Sequence, residues 1–182
     1  LAWPGMVSGE RPGRAIEIPG DRPIRRITTL VEENAGRIDW SHANNLIALS
    51  KMGPDGYADI YTMKPDGSKQ VCLTCGNAAV PQLVNDQPTW HPSGDYLVFQ
   101  SQDPGLGRVP KFLTEGGAGF NHNLWVVTRD GSRSWQLTHI RTGEASLHAH
   151  FSHDGTRLFW AAVIRQPWRR TKWVLKLADF VV

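Results

Sequence analysis

The chain repeats itself, and that repetition constrains its architecture more than any other feature. Three segments align: Ile38–Leu49, Pro88–Phe99 and Ala149–Trp160. Each carries an aromatic residue (Trp40, Trp90 or Phe151), a four-residue polar turn and then an apolar run of strand formers. A second shared unit follows the first two runs. Asp59–Ser68 and Asn123–Ser132 both pass through an Asp-Gly turn, and both lead on to a Leu-Thr pair, Leu73-Thr74 or Leu137-Thr138. Asp-Gly between strand-like runs marks a tight hairpin, because glycine supplies the positive φ that the reversal needs.

One repeat therefore reads as four short strands. Strand a ends at the aromatic, strand b is the apolar run, strand c precedes the Asp-Gly turn, and strand d ends in Leu-Thr. The runs Leu46–Leu49, Tyr96–Phe99 and Leu158–Ile164 do not alternate with polar residues, as expected of strands covered on both faces. A four-stranded antiparallel sheet flanked by copies of itself is a propeller blade. Trp40 to Trp90 is 50 residues and Trp90 to Phe151 is 61, the excess lying in the b–c insertion Gln102–His122.

The reading is an all-β fold: a β-propeller segment of four-stranded antiparallel blades, two complete and two partial. The blades are placed at 37–75 and 86–139, the partial blades at 14–28 and 147–182. Ile24–Thr28 matches a strand d with no a and b before it, and Trp173–Leu177 a strand c with no d after it. Such a set cannot close a ring by itself, so a fragment of a six- or seven-bladed propeller is expected. Closure by a second copy is the alternative.

Composition removes other classes. Eighteen Gly and 12 Pro among 182 residues argue against a helical bundle. With 40% apolar and 20% charged residues a packed core is expected rather than disorder. A net charge of +3 leaves no electrostatic footprint for nucleic acid. The longest apolar stretches, such as Phe159–Ile164, are far too short to span a membrane as a helix. The chain opens at Leu1 with no leader visible.

The order aromatic, Ser-Pro-Asp-Gly-like turn, apolar run, Ile-Tyr-x-Met-x-x-Asp-Gly and Leu-Thr resembles the WD-like repeats of TolB-type β-propellers. Trp90-His91-Pro92-Ser93-Gly94, Phe151-Ser152-His153-Asp154-Gly155 and Asp59–Gly67 carry the resemblance, which covers roughly Ile24 to Asp179. Ser41-His42-Ala43-Asn44 departs from it, lacking both Pro and Gly, so Asn44-Asn45 must supply the turn chemistry. Families of this type include periplasmic protein-binding propellers, propellers fused to serine peptidases, and metal-dependent oligogalacturonate lyases. Their shared motif residues build turns and cores, so no catalytic residue carries over, and fold does not dictate function. The resemblance implies a periplasmic or secreted location.

In such a blade the b–c and d–a loops emerge on one face. The unusual loops, Gly76–Gln87, Gln102–His122, His139–Leu147 and Arg165–Lys172, all belong to those classes, which makes that face the candidate binding surface. The candidate contact residues are His148, His150, Arg108, Lys111, Trp168 and Arg169. Cationic side chains beside an indole suit an acidic or aromatic partner. His148 and His150 stand two apart on strand a and so share a side. With His122 they are the candidate ligands for a divalent metal, set against structural histidines. No other cofactor is expected.

Cys72 and Cys75 form one C-x-x-C. No second pair exists for a zinc ribbon and no helix N-terminus is predicted to lower a thiol pKa, so a local disulfide or two packed thiols is the reading. The chain has no G-x-S-x-G and no nucleophile–base pair. The functional expectation is a non-catalytic scaffold presenting loops to a protein, peptide or saccharide partner. The rival is the propeller portion of an enzyme, either a peptidase accessory domain or a metal-dependent lyase-like propeller.

Overall fold

The computed structural model describes residues 27–32, 34–53, 55–107, 119–167 and 170–181. Its strands are β1 (Ala35–Trp40), β2 (Ile47–Met52), β3 (Ala58–Met63), β4 (Val71–Cys72), β5 (Asn85–Trp90), β6 (Tyr96–Gln102), β7 (His122–Thr128), β8 (Ser134–Gln136), β9 (Ala145–Phe151), β10 (Arg157–Arg165) and β11 (Thr171–Asp179). β1–β4 form one antiparallel sheet in sequence order, blade I. β5–β8 form blade II in the same order, and β9–β11 supply strands a, b and c of blade III. A single parallel bridge, His122 to Ala145, joins blades II and III. Residues 14–26 of the expected first partial blade lie outside the described residues.

The a–b turns are built alike from unlike residues. The N–H groups of Ser41, His91 and Ser152 donate to the carbonyls of Leu46, Tyr96 and Arg157. Gly94 and Gly155 carry the left-handed backbone in the second and third turns, at φ 76° and 74°, and Asn45 carries it in the first, at φ 55°. Asn is among the few residues that tolerate that region. Asn44 completes the turn, accepting from Leu46 N–H at 3.1 Å and donating to Gly94 O of the next blade at 2.7 Å.

The Leu-Thr pairs act as clasps between strands c and d. Thr74 Oγ1 accepts from Ile60 N–H at 3.0 Å and donates to Asp59 Oδ1 at 2.6 Å. Thr138 Oγ1 repeats this with Leu124 N–H at 2.8 Å and Asn123 Oδ1 at 3.1 Å. A backbone donor buried at each strand's start is thereby satisfied. This explains why regular pairing stops early at β4 and β8: the next residues turn inward to clasp.

Packing between blades forms the core. Ala48, Ile60, Leu73, Val80, Trp90, Leu97, Phe99 and Val127 fill the space between blades I and II. Val98, Leu124, Val126, Ala149 and Leu158 fill that between II and III. Residues 47–50 and 97–102 are buried on both faces, as non-alternating runs require. The run Leu158–Ile164 departs from that expectation. Leu158 and Ala162 are buried but Phe159 is 42% exposed, and on β11 Trp173, Leu175 and Leu177 are 55%, 83% and 61% exposed. Blade III has a neighbour on one face alone among the described residues, so its other face keeps apolar side chains in the open.

Two turns make stability depend on acid. Asp130 is held down at about 2, chiefly by hydrogen bonds from Thr128 and Ser132, and Asp154 likewise by Ser152 and Thr156. The unfolded value is about 3.9, so the ionised turns favour the fold above that pH, and the gain is lost as pH falls toward 2. An acid titration followed by circular dichroism should show the double variant Asp130→Asn, Asp154→Asn losing less stability than the parent between pH 4 and 2.

Candidate functional site

The strands a of the three blades, β1, β5 and β9, pack in succession, and their middles line one cavity of about 150 Å³. Arg37 and Ile38 come from β1, Gln87 and Pro88 from β5, and His148, Ala149 and His150 from β9. Arg37, Gln87 and His148 are repeat equivalents, each three residues before the aromatic that ends its strand. Each sits where pairing slips: between Gly36 and Ile38 on β1, between Asp86 and Thr89 on β5, and between Leu147 and His150 on β9. Gln87 and His148 have φ of 55° and 54°. A non-glycine residue in that region is uncommon, and bulges of this kind re-aim side chains beside functional sites.

The cavity is rich in donors. His148 is pushed below the ordinary histidine value by burial first, then by the positive charges of Arg37 and His150, while Asp86 opposes. Its ring stacks on Trp173 at 6.5 Å with the planes inclined by 24°, and His150 stacks on Phe159 at 5.5 Å. Both histidines therefore share a side of β9, over the open face of blade III. Gln87 is buried with no hydrogen-bond partner at Nε2 among the described residues, and its N–H donates to Asp86 Oδ1 at 2.7 Å.

His122 is not on this wall. It is fully buried at the start of β7, its Nδ1 2.8 Å from the Phe120 carbonyl, and burial pushes its pKa down. The neutral ring donating from Nδ1 leaves Nε2 as a buried acceptor with no partner among the described residues. One group of three potential metal donors with atoms within 4.8 Å of one another occurs among the described residues, and it is Asp59, Cys72 and Cys75, not the histidines. Cys72 and Cys75 are joined as a disulfide, so their sulfurs are not thiolate ligands. Arg108, Lys111, Trp168 and Arg169 lie outside the described residues.

The described ends of three of the long loops are tied together, at Leu106 and Asn121, at Gly143 and Glu144, and at Arg165. Asn121, at the end of the b–c insertion, accepts from Gly143 N–H at 2.7 Å, and its own N–H donates to Glu144 O at 2.8 Å. Its side chain also donates to Leu106 O at 2.9 Å. Arg165 N–H in turn donates to Glu144 Oε1 at 3.4 Å. Arg37 and Gln87 escaped the motif reading because neither belongs to a turn or an apolar run. Their fixed distance from Trp40, Trp90 and Phe151 is the signal that marks them.

No protein-family model and no curated protein matches the chain. Solved structures do. The putative TolB from Agrobacterium tumefaciens superposes with a TM-score of 0.58 at 20% identity, over 82% of this chain and 47% of that one. TolB from Acinetobacter baumannii gives 0.49 at 16% identity, over 78% and 29%. Pyrococcus horikoshii acylaminoacyl peptidase gives 0.45 at 11% identity, over 82% and 25%. The chain thus spans about half the length of the first and less than a third of the second. With its repeated blades, its sequential antiparallel strand order and this likeness, the chain has the fold of a TolB-type β-propeller segment.

Proposed function

We propose that the chain is a non-catalytic binding scaffold that receives a protein or peptide partner at the inner-strand cavity and the loop face beside it. The observation that carries this is the repetition of one device. Arg37, Gln87 and His148 occupy equivalent slipped positions on three successive inner strands and converge on one cavity. An arginine, two histidines and a buried amide donor with no partner among the described residues suit a carboxylate-bearing peptide. The Cys72–Cys75 disulfide supports an oxidising, exported location, and no helix among the described residues is long and apolar enough to cross a membrane.

A photo-crosslinking residue at position 38, on the cavity wall, tests the reading against one at position 93, in an a–b turn at the other end of the strands. Adducts with a defined partner are expected from position 38 and not from 93; the reverse pattern contradicts the proposal. The sign of the pH effect follows from His148. Its value is held below the ordinary 6.5 in the free protein, so positive charge enters the cavity as pH falls below that value. Affinity for an acidic peptide should rise with that charge.

A further inference from the structure

Within this one chain, blade II serves as a control for blade I. The clasp made by Thr74 in blade I is made by Thr138 in blade II with the same donors and acceptors, the hydroxyl donating over 2.6 Å in the first and 3.1 Å in the second. Cys72 is opposite Tyr61 on β3, and its equivalent Gln136 is opposite Trp125 on β7. Cys75 follows Thr74 as His139 follows Thr138. Blade II thus forms the clasp with Gln136 and His139 where blade I has a disulfide, so the covalent bond is not what the clasp needs. A second difference accompanies the cysteines: the carboxyl of Asp59 replaces the carboxamide of Asn123.

That carboxyl is placed against the sulfurs. Asp59 Oδ2 lies 3.5 Å from Cys75 Sγ, and Oδ1 is held by Thr74 Oγ1 at 2.6 Å and Asn85 Nδ2 at 3.4 Å. Tyr61 Oη is 3.3 Å from the same sulfur. Cys75 is exposed whereas Cys72 is half-buried, and the Cys75 N–H points at Cys72 Sγ from 3.0 Å. Asp55 in the preceding loop also bears on Asp59, and Lys51 is its register partner on β2. Burial, more than any neighbour, raises the Asp59 pKa, so that it holds a proton at higher pH than an ordinary aspartate.

We propose that Cys72–Cys75 is a redox-active disulfide that exchanges with a dithiol reductant, with Asp59 as the proton donor and acceptor for Cys75. A thiolate of the reductant attacks the exposed Cys75 Sγ, forming a mixed disulfide and breaking the Cys72–Cys75 bond. Cys72 leaves as a thiolate that accepts the Cys75 N–H, which does here what a helix N-terminus does elsewhere. The second thiolate of the reductant then attacks its own sulfur in the mixed disulfide. The reductant closes as a disulfide, and Cys75 is released as a thiolate. Two electrons pass from the dithiol to the protein. The two protons shed by the reductant are balanced by those taken up at Cys72 and at Cys75, the latter through the Asp59 carboxyl. Oxidation runs the same path backwards, with Asp59 removing the Cys75 proton.

The test is reduction of the folded chain by dithiothreitol, with the rate corrected for the reagent's own thiolate fraction and circular dichroism recorded alongside. The native protein should be reduced without unfolding, with both thiols becoming open to iodoacetamide while the circular dichroism spectrum is unchanged. Asp59→Asn, which copies Asn123 and keeps the acceptor for Thr74, should slow reduction at least ten-fold, while Asp154→Asn, in the a–b turn of blade III, leaves the rate unchanged. Should Asp59→Asn fail to fold, the pH profile of Cys75 alkylation in the reduced native chain decides. Two coupled ionisations support the proposal and a single one overturns it. A bond that resists dithiothreitol until the chain unfolds, or an Asp59→Asn rate equal to the native one, also overturns it.

Discussion

Replacing Phe99 by Ala is expected to lower the unfolding free energy by about 3–5 kcal/mol, the usual cost of emptying an aromatic site in a packed core. Phe99 has no exposed surface and lies with Ala48, Ile60, Leu73 and Leu97 in the cluster that joins blades I and II. Its neighbours are anchored in two different sheets, so neither can move toward the gap without breaking its own ladder. The cavity therefore persists rather than collapsing, which places the cost in the upper part of the range. A urea titration of the native and variant chains measures it. A loss below about 1 kcal/mol would mean that the blades do not share a packed interface at this point.

The second large effect is expected at Asp39. Its Oδ2 reaches from β1 across to β5, accepting from Trp90 N–H at 2.6 Å and from Thr89 Oγ1 at 3.2 Å. Its Oδ1 accepts from Trp40 N–H at 2.9 Å. Asp39→Ala leaves the Trp90 N–H without an acceptor beside a buried indole, and removes a charged acceptor that ties one inner strand to the next. The expected loss is about 3 kcal/mol, from one unsatisfied buried donor and one charge-assisted bond. Asp39→Asn, which keeps an acceptor of the same shape, should recover part of it. Equal losses in the two variants would show that charge, not hydrogen-bond geometry, holds the strands together.

What was legible in the sequence was what repeats with its chemistry intact. Trp40, Trp90 and Phe151 end three strands a because the same turn and the same apolar run follow each of them. Asn44-Asn45 replaces a glycine turn by the route expected of it, with the left-handed residue at Asn45. The run Leu158–Ile164 has the composition of a strand covered on both faces, whereas among the described residues blade III has a neighbour on one face alone. Composition records what a strand is suited to pack against, not whether the neighbour is there.

The cavity was half legible. His148 and His150 stood out as histidines two apart, but their companions carry no motif. Arg37 and Gln87 belong with them through slipped strand pairing, which depends on hydrogen bonds between strands and leaves no mark in composition. Gln87 adopts its left-handed backbone directly before Pro88, a conformation no local propensity announces. A C-x-x-C spacing suits both a local disulfide and two packed thiols, and the structure joins Cys72 to Cys75. The carboxyl at Asp59 that faces this bond comes from a strand pairing 13 residues upstream of Cys72.

The most direct test of the binding account is a calorimetric titration of the partner captured from position 38. It should be run at pH 6 against the native chain and against the double variant His148→Ala, His150→Ala. Neither histidine lies in the clusters between the blades, so the variant should keep its fold, and its thermal midpoint checks that. The account predicts at least a ten-fold loss of affinity with the midpoint preserved. An unchanged affinity in a folded variant would contradict it and move the binding surface away from the inner strands.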